Sequence, residues 1–215
     1  MNYNDGIEKL AIYFSGSKYE SEVVEAKKLF FADVGIDDKE SERYERWMNI
    51  FFDWYLFSRP ISGTSLPPAQ FALEIDEFQQ LHGDEKKVFT SLAKCEHSLL
   101  QFIKSKGDFV FFNDIFRKKK VKVVDNEFVL TLEKGDICDS RLIPEEDHFY
   151  FSKGFCCHPR EANRFILKEA KLLKKAEAHE QQAFQINLIR MYFKMEQYSH
   201  LKVEQIYNRE SKVRF

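Results

Sequence analysis

A chain of 215 residues, 44% hydrophobic and 32% charged, carries enough apolar material for a substantial core and too much for whole-chain disorder. Its formal net charge of −2 gives no global pull toward nucleic acid or an anionic membrane, so any such function has to rest on a local patch. The start, MNYNDGIEKLAIYF, lacks a basic segment leading into a long apolar run, and no later stretch offers the roughly 20 apolar residues of a membrane span; with Cys95, Cys138, Cys156 and Cys157 read as reduced thiols, the expected compartment is the cytoplasm.

Ile7, Leu10, Ala11 and Phe14 share one helical face behind Asn4 and Asp5, which predicts a first helix ending near Ser15 to Ser17. Ser17 and Glu20 have capping-box spacing, and Val23, Ala26 and Phe30 carry the next apolar stripe, with Gly35 as its stop. Asp37 or Asp38 then caps a third helix whose charged first turns run into WMNIFFDWYLF, residues 47 to 57. Trp47, Ile50, Phe51, Trp54 and Tyr55 follow i, i+3, i+4 spacing, and Met48, Phe52 and Leu56 fill the flanks. A segment apolar on nearly every side and too short for a bilayer is expected to be the central buried helix. Asn49 and Asp53 interrupt it: on a solvated stripe Asp53 pairs with Arg46 or Arg59, and as a functional group it is a carboxylate in an aromatic pocket. Pro60, Gly63, Pro67 and Pro68 mark a loop. A fourth helix starts at Pro67 or Pro68, presents Phe71, Ile75 and Phe78, and stops at Gly83, and Asp84 caps a fifth that reaches about Cys95.

From Ser98 the helical spacing gives way to alternation and short apolar runs. Strands are predicted at 98–104, 108–114, 119–124, 127–132, 136–143 and 148–153, with a tight hairpin at Asp125 and Asn126. Short strands joined by short turns predict a small antiparallel sheet curling into a partial barrel. Beyond Pro159 there is neither glycine nor proline. Phe165, Ile166, Ala170, Leu173 and Ala176 form one stripe, and Phe184, Leu188, Met191, Tyr192 and Met195 a second. A single helix over 160–198 would run about 60 Å and leave the second stripe for a protein partner or a second copy, whereas a hairpin folding near 178–182 would cover it internally. The lack of turn residues favours the projecting helix, with residues 211–215 fraying. The fold class is therefore α+β: a helical subdomain over 1–96, a β region over 97–158 and a long C-terminal helix or helical hairpin over 159–215, packed as one compact unit.

The run Phe52-Asp53-Trp54-Tyr55-Leu56-Phe57, followed by Gly135-Asp136 and then Arg141-Leu142 with Pro144, resembles an uncharacterised type of bacterial protein in which an FDWFLF-like helix precedes a small β region with a GD, then RL, pattern. The similarity covers roughly residues 47 to 154 and implies no catalytic residue. Gly135-Asp136 reads as a turn before a strand, and Arg141 as an outward or ion-paired position on it.

The densest group of reactive side chains is Cys156-Cys157-His158, with Cys138 and Asp139 upstream. Zinc sites are commonly built from CxxC-type knuckles, of which there is none, so small buried residues at a strand-to-helix junction compete with a metal reading. A Cys157 nucleophile would need a base and an orienting group that the sequence does not name. Of the other histidines, His82, His97, His148, His179 and His200, most read as surface residues, and no GxxxxGK[ST] or GxGxxG is present. Arg117, Lys118, Lys119, Lys120 and Lys122 form a basic run near Phe112 and Phe116: phosphate-binding charges with stacking rings on one reading, a lysine-protected sheet edge on the other. Lys168, Lys171, Lys174 and Lys175 interleave with glutamates as on a solvated helix face. The expectation is a non-catalytic interaction or adaptor protein without metal or cofactor, using Phe184, Leu188, Met191, Tyr192 and Met195 or the barrel surface. The alternative is a nucleic-acid-binding module using Arg117 to Lys122.

Overall fold

The computed structural model describes residues 1–32, 42–124 and 131–209. Helices come first: α1 (Tyr3–Ser15), α2 (Glu20–Phe30), α3 (Glu42–Phe57), α4 (Pro68–Phe71), a 3-10 turn at Ala72–Glu74, α5 (Asp76–Gln79) and α6 (Gly83–Leu92). The strands follow as β1 (Glu96–Lys106), β2 (Phe109–Asp114), β3 (Lys120–Val124), β4 (Ile137–Glu145), β5 (His148–Phe151) and β6 (Cys156–Cys157). A 3-10 turn at Arg160–Ala162 leads into α7 (Asn163–Leu172), a second at Leu173–Lys175 closes it, and α8 (Ala178–Gln197) and α9 (Val203–Ile206) end the described chain. The fold is α+β. The predicted stop at Gly35, the cap at Asp37 or Asp38, the hairpin at Asp125 and Asn126 and the fraying end lie outside the described residues, as does most of the predicted strand at 127–132.

The chain divides into two compact units that are not contiguous in sequence. One holds described residues 1–32, 42–96 and 141–154; the other holds 97–124, 131–140 and 155–209. Residues 141–154 belong with the helices, and residues 155–209 belong with the strands.

In the helical unit the aromatic stretch forms α3, and Phe51, Tyr55 and Leu56 are fully buried with Leu10 and Phe14 of α1, Phe30 of α2, and Phe89 and Leu92 of α6. Each such side chain contributes about 1.5–3 kcal/mol by leaving water. The Tyr55 hydroxyl donates to the Phe14 carbonyl at 2.8 Å, and burial pushes its pKa up to about 12. A Cβ on Gly6 would stand 2.7 Å from Val88 Cγ1, so glycine is what lets α1 close on α6. Three local expectations change. Tyr19, not Ser17, precedes α2, and no side chain caps it. Ile75 is extended and splits the predicted fourth helix into short pieces. His82, not Asp84, occupies the cap position of α6.

In the strand-containing unit β1 pairs antiparallel with β2 and β2 with β3. β1 also pairs with β4, whose first residues pair with β6, so the sheet curls in the manner of a small barrel. Its core joins Leu99 and Ile137 to Ile166 of α7 and to Leu188 and Met191 of α8. The projecting-helix expectation is therefore corrected. Ala176 and Glu177 are extended and break the helix, Glu180 accepts a 3.1 Å hydrogen bond from the Glu177 N–H, and Gln181 donates to the Leu173 carbonyl. Polar side chains thus satisfy the helix ends that a glycine or proline turn would otherwise terminate.

Candidate functional site

Which side chains β1 shows to solvent is decided by one extra residue. Phe102 pairs with Phe112 and both are buried, so a regular ladder would set Lys104 against the buried Val110. The register instead shifts after Phe102, and the additional residue, Ile103, places Lys104 opposite Phe111 and Lys106 opposite Phe109. A bulge of this kind moves every later side chain to the other face. On the far side of β2, Lys122 pairs with Phe111 and Lys120 with Asn113.

The outward face of β1–β2–β3 therefore carries Phe111 between two lysines in one cross-strand row. Phe109 and Phe111 are half-buried, and Lys104, Lys106 and Lys120 are exposed. The Lys122 ammonium lies 4.0 Å from the Phe109 ring centre, and that of Lys104 lies 5.7 Å from Phe111. Rings held by their edges in a sheet, with cations around them, offer stacking surfaces and phosphate partners together. The sequence pointed to Lys120 and Lys122 but not to Lys104, Lys106, Phe109 or Phe111. The period-two run Phe109-Val110-Phe111 contained the signal, yet the bulge that aligns β1 with it has no sequence marker.

Arg117 is placed differently from its expected role. The buried Asp114 carboxylate accepts from the Arg117 backbone N–H at 2.7 Å and from its Nη1 at 2.6 Å, and Nη1 also donates to Ser98 Oγ at 2.7 Å. Arg117 thus builds the β2–β3 turn. Lys118 follows in the left-handed region, φ 54°, with its N–H donating to the Asp114 carbonyl at 2.9 Å.

The partner-binding stripe is covered from within its own unit. Leu188 is fully buried and Met191 is 5% exposed, and Phe184 and Met195 pack on the same core. The Tyr192 hydroxyl donates to Glu196 at 2.9 Å. Leu188 and Met191 are thus core residues, while Phe184, Tyr192 and Met195 stay partly exposed.

The Cys-His group closes into a buried polar cluster. Cys138 and Cys157 are joined by a disulfide across β4 and β6, which corrects the reduced-thiol reading for that pair, while Cys156 is outside any disulfide and buried. His158 Nδ1 lies 3.0 Å from the Tyr207 hydroxyl, and His97 Nε2 lies 2.5 Å from Asp139. Burial lowers the His158 pKa to about 4, against a raising influence of Asp139. His97, one of five histidines most of which read as surface residues, has a side chain only 8% exposed. Among the described residues no three His, Cys, Asp or Glu side chains are placed to hold a metal ion. Nor, among them, is any helix long and apolar enough to cross a membrane.

Asp53 of α3 is 3% exposed and accepts from the Gly154 N–H at 2.9 Å and from the Ser152 hydroxyl. Arg59, one expected partner, pairs with Glu22 at 2.6 Å instead. A Cβ on Gly154 would stand 2.8 Å from Asp53 Cγ and 3.0 Å from Ile50 Cα, so this carboxylate fastens a glycine-specific backbone approach. Gly135 and Asp136 form the expected turn, Gly135 at φ 96°. Burial raises the Asp136 pKa, but the Arg160 guanidinium at 2.6 Å and the Glu133 N–H outweigh it, leaving the carboxyl below its usual range. Arg141 is not outward: it is 3% exposed, with its guanidinium 5.9 Å from the Phe57 ring centre. A separate cleft of about 630 Å³ in the helical unit, lined by Lys86, Lys87, Lys94, Glu145 and Glu146, mixes both charges and converges on no single group.

A model of a protein family of unknown function, DUF7986, matches residues 17–204. The chain belongs to that family. No curated protein and no solved structure matches it.

Proposed function

We propose that this DUF7986 protein is a non-catalytic module that binds single-stranded nucleic acid on the outward face of β1–β2–β3. The observation that supports the reading is the row Lys104, Phe111, Lys122, with Phe109 and Lys106 in the next row. Bases stack on Phe111 and Phe109, and the lysines meet the phosphates on either side. A net charge of −2 is compatible with this, because counterions are released by the local charges that touch phosphates. A protein-partner function through α8 would have the partly exposed Phe184, Tyr192 and Met195 to work with, Leu188 and Met191 being core.

The test is fluorescence anisotropy of a labelled mixed-sequence single strand at low and moderate salt. Stacking contributes about 1–3 kcal/mol per base, so Phe111→Ala is expected to weaken binding by roughly 5- to 150-fold. Replacing Lys104 and Lys122 with Gln is expected to flatten the salt dependence by about 0.7 log units per log unit of salt for each lysine. Wild-type protein that shows no salt-dependent binding at low ionic strength would overturn the proposal, and so would variants that bind as the wild type does.

A further inference from the structure

The cleft of about 630 Å³ in the helical unit has no single focus, but its charges are sorted by wall. One wall is α6, whose Lys86 and Lys87, with Lys94 just past its end, line the cleft while Val88, Phe89 and Leu92 are buried. The other is the β4–β5 hairpin, which supplies Pro144, Glu145 and Glu146. Tyr3 of α1 lines the cleft as well, half-buried, with its ring 5.1 Å from that of Tyr150. The volume falls within the roughly 300–1,000 Å³ of small-molecule sites.

The two walls do not neutralise each other. Lys87 pairs at 3.8 Å with Asp84 of its own helix, and among the described residues none of the three lysines forms an ion pair with Glu145 or Glu146. The hairpin adds a second observation. Glu145 pairs with His148, so the loop consists of Glu146 and Asp147 alone. Glu146 has φ 46°, in the left-handed region where such loops ordinarily place glycine, asparagine or aspartate. Glycine would close the same turn without strain, but it would leave this wall one carboxylate short.

We infer that the cleft binds a short peptide with free ends, its carboxylate on the lysine wall and its ammonium on Glu145 and Glu146. A ligand of one charge would meet one wall and oppose the other, whereas a molecule charged oppositely at its two ends suits both. Three extended residues reach about 10 Å, the scale of a cleft of this volume, and small apolar side chains find Tyr3 and Pro144 beside them. The site belongs to the helical unit and does not depend on the nucleic-acid reading.

The experiment titrates the full chain with trialanine at low ionic strength and follows the amide resonances of Thr90, Ser91, Glu145 and Glu146. Two controls each remove one charge: N-acetyl-trialanine lacks the ammonium, and trialanine amide lacks the carboxylate. Trialanine is expected to shift these amides saturably, and each control to bind roughly 3- to 10-fold more weakly, as expected for one partly screened, charge-assisted contact. Glu146→Gly is expected to bind trialanine and its acetylated form alike. The double variant Lys86→Gln, Lys94→Gln is expected to bind trialanine and its amide alike. Absence of a saturable shift with trialanine would overturn the site, as would controls that bind as tightly as the free peptide. A variant that kept the wild-type preference would overturn the assignment of its wall.

Discussion

His158 is the buried group whose protonation the fold opposes most plainly. It is 4% exposed, its ring is bonded to Tyr207, and burial lowers its pKa to about 4 from an ordinary 6.5. Because the folded value lies below the unfolded one, the unfolded chain takes up the proton first as pH falls. The stability tied to neutral His158 is therefore complete above about pH 6.5 and is lost progressively toward pH 4. Between pH 7 and pH 5 the loss is about 2 kcal/mol. Urea midpoints of wild type and His158→Gln at the two pH values give the comparison. Wild type is expected to lose about 2 kcal/mol more than the variant over this interval, and equal losses would mean that the imidazole is not held neutral.

At the scale of elements, α8 carries the plainest contrast between a solvent stripe and a core stripe. Leu188 is fully buried against Leu99, Ile137 and Ile166, so Leu188→Ala removes packing and leaves a cavity. The expected cost is about 2–5 kcal/mol in chemical unfolding, with the sedimentation behaviour of the folded protein unchanged. A variant of near-normal stability that changed oligomeric state would instead make the stripe an interface. The spacing of Leu188, Met191 and Met195 revealed an apolar face but could not reveal what covered it, because a helix facing its own sheet and one facing a partner have the same period. The α3 helix was legible for the opposite reason: apolar on nearly all sides, Trp47 to Phe57 had only one place to go. The candidate nucleic-acid face was half legible. Alternation gave Lys120 and Lys122, whereas Lys104 reached the face through the bulge at Ile103.

At the scale of the whole molecule, the path of the chain matters more than its composition. The chain leaves the helical unit after Glu96, returns to it for residues 141–154 and leaves again, so neither unit is a continuous segment. The returning piece is not decoration. It supplies Ser152 and Gly154, whose hydroxyl and N–H hold the buried Asp53 carboxylate, and it brings Arg141 against Phe57. A fragment of residues 1–96 has the aromatic core but leaves Asp53 without those two donors. Taking two donors away from a buried carboxylate costs several kcal/mol, comparable with the whole stability of a domain of that size. The fragment is expected to show no cooperative urea transition and poorly dispersed amide resonances, while the full chain shows both a transition and dispersion. A cooperative, well-dispersed fragment would mean that the α1–α6 core is self-sufficient without residues 141–154.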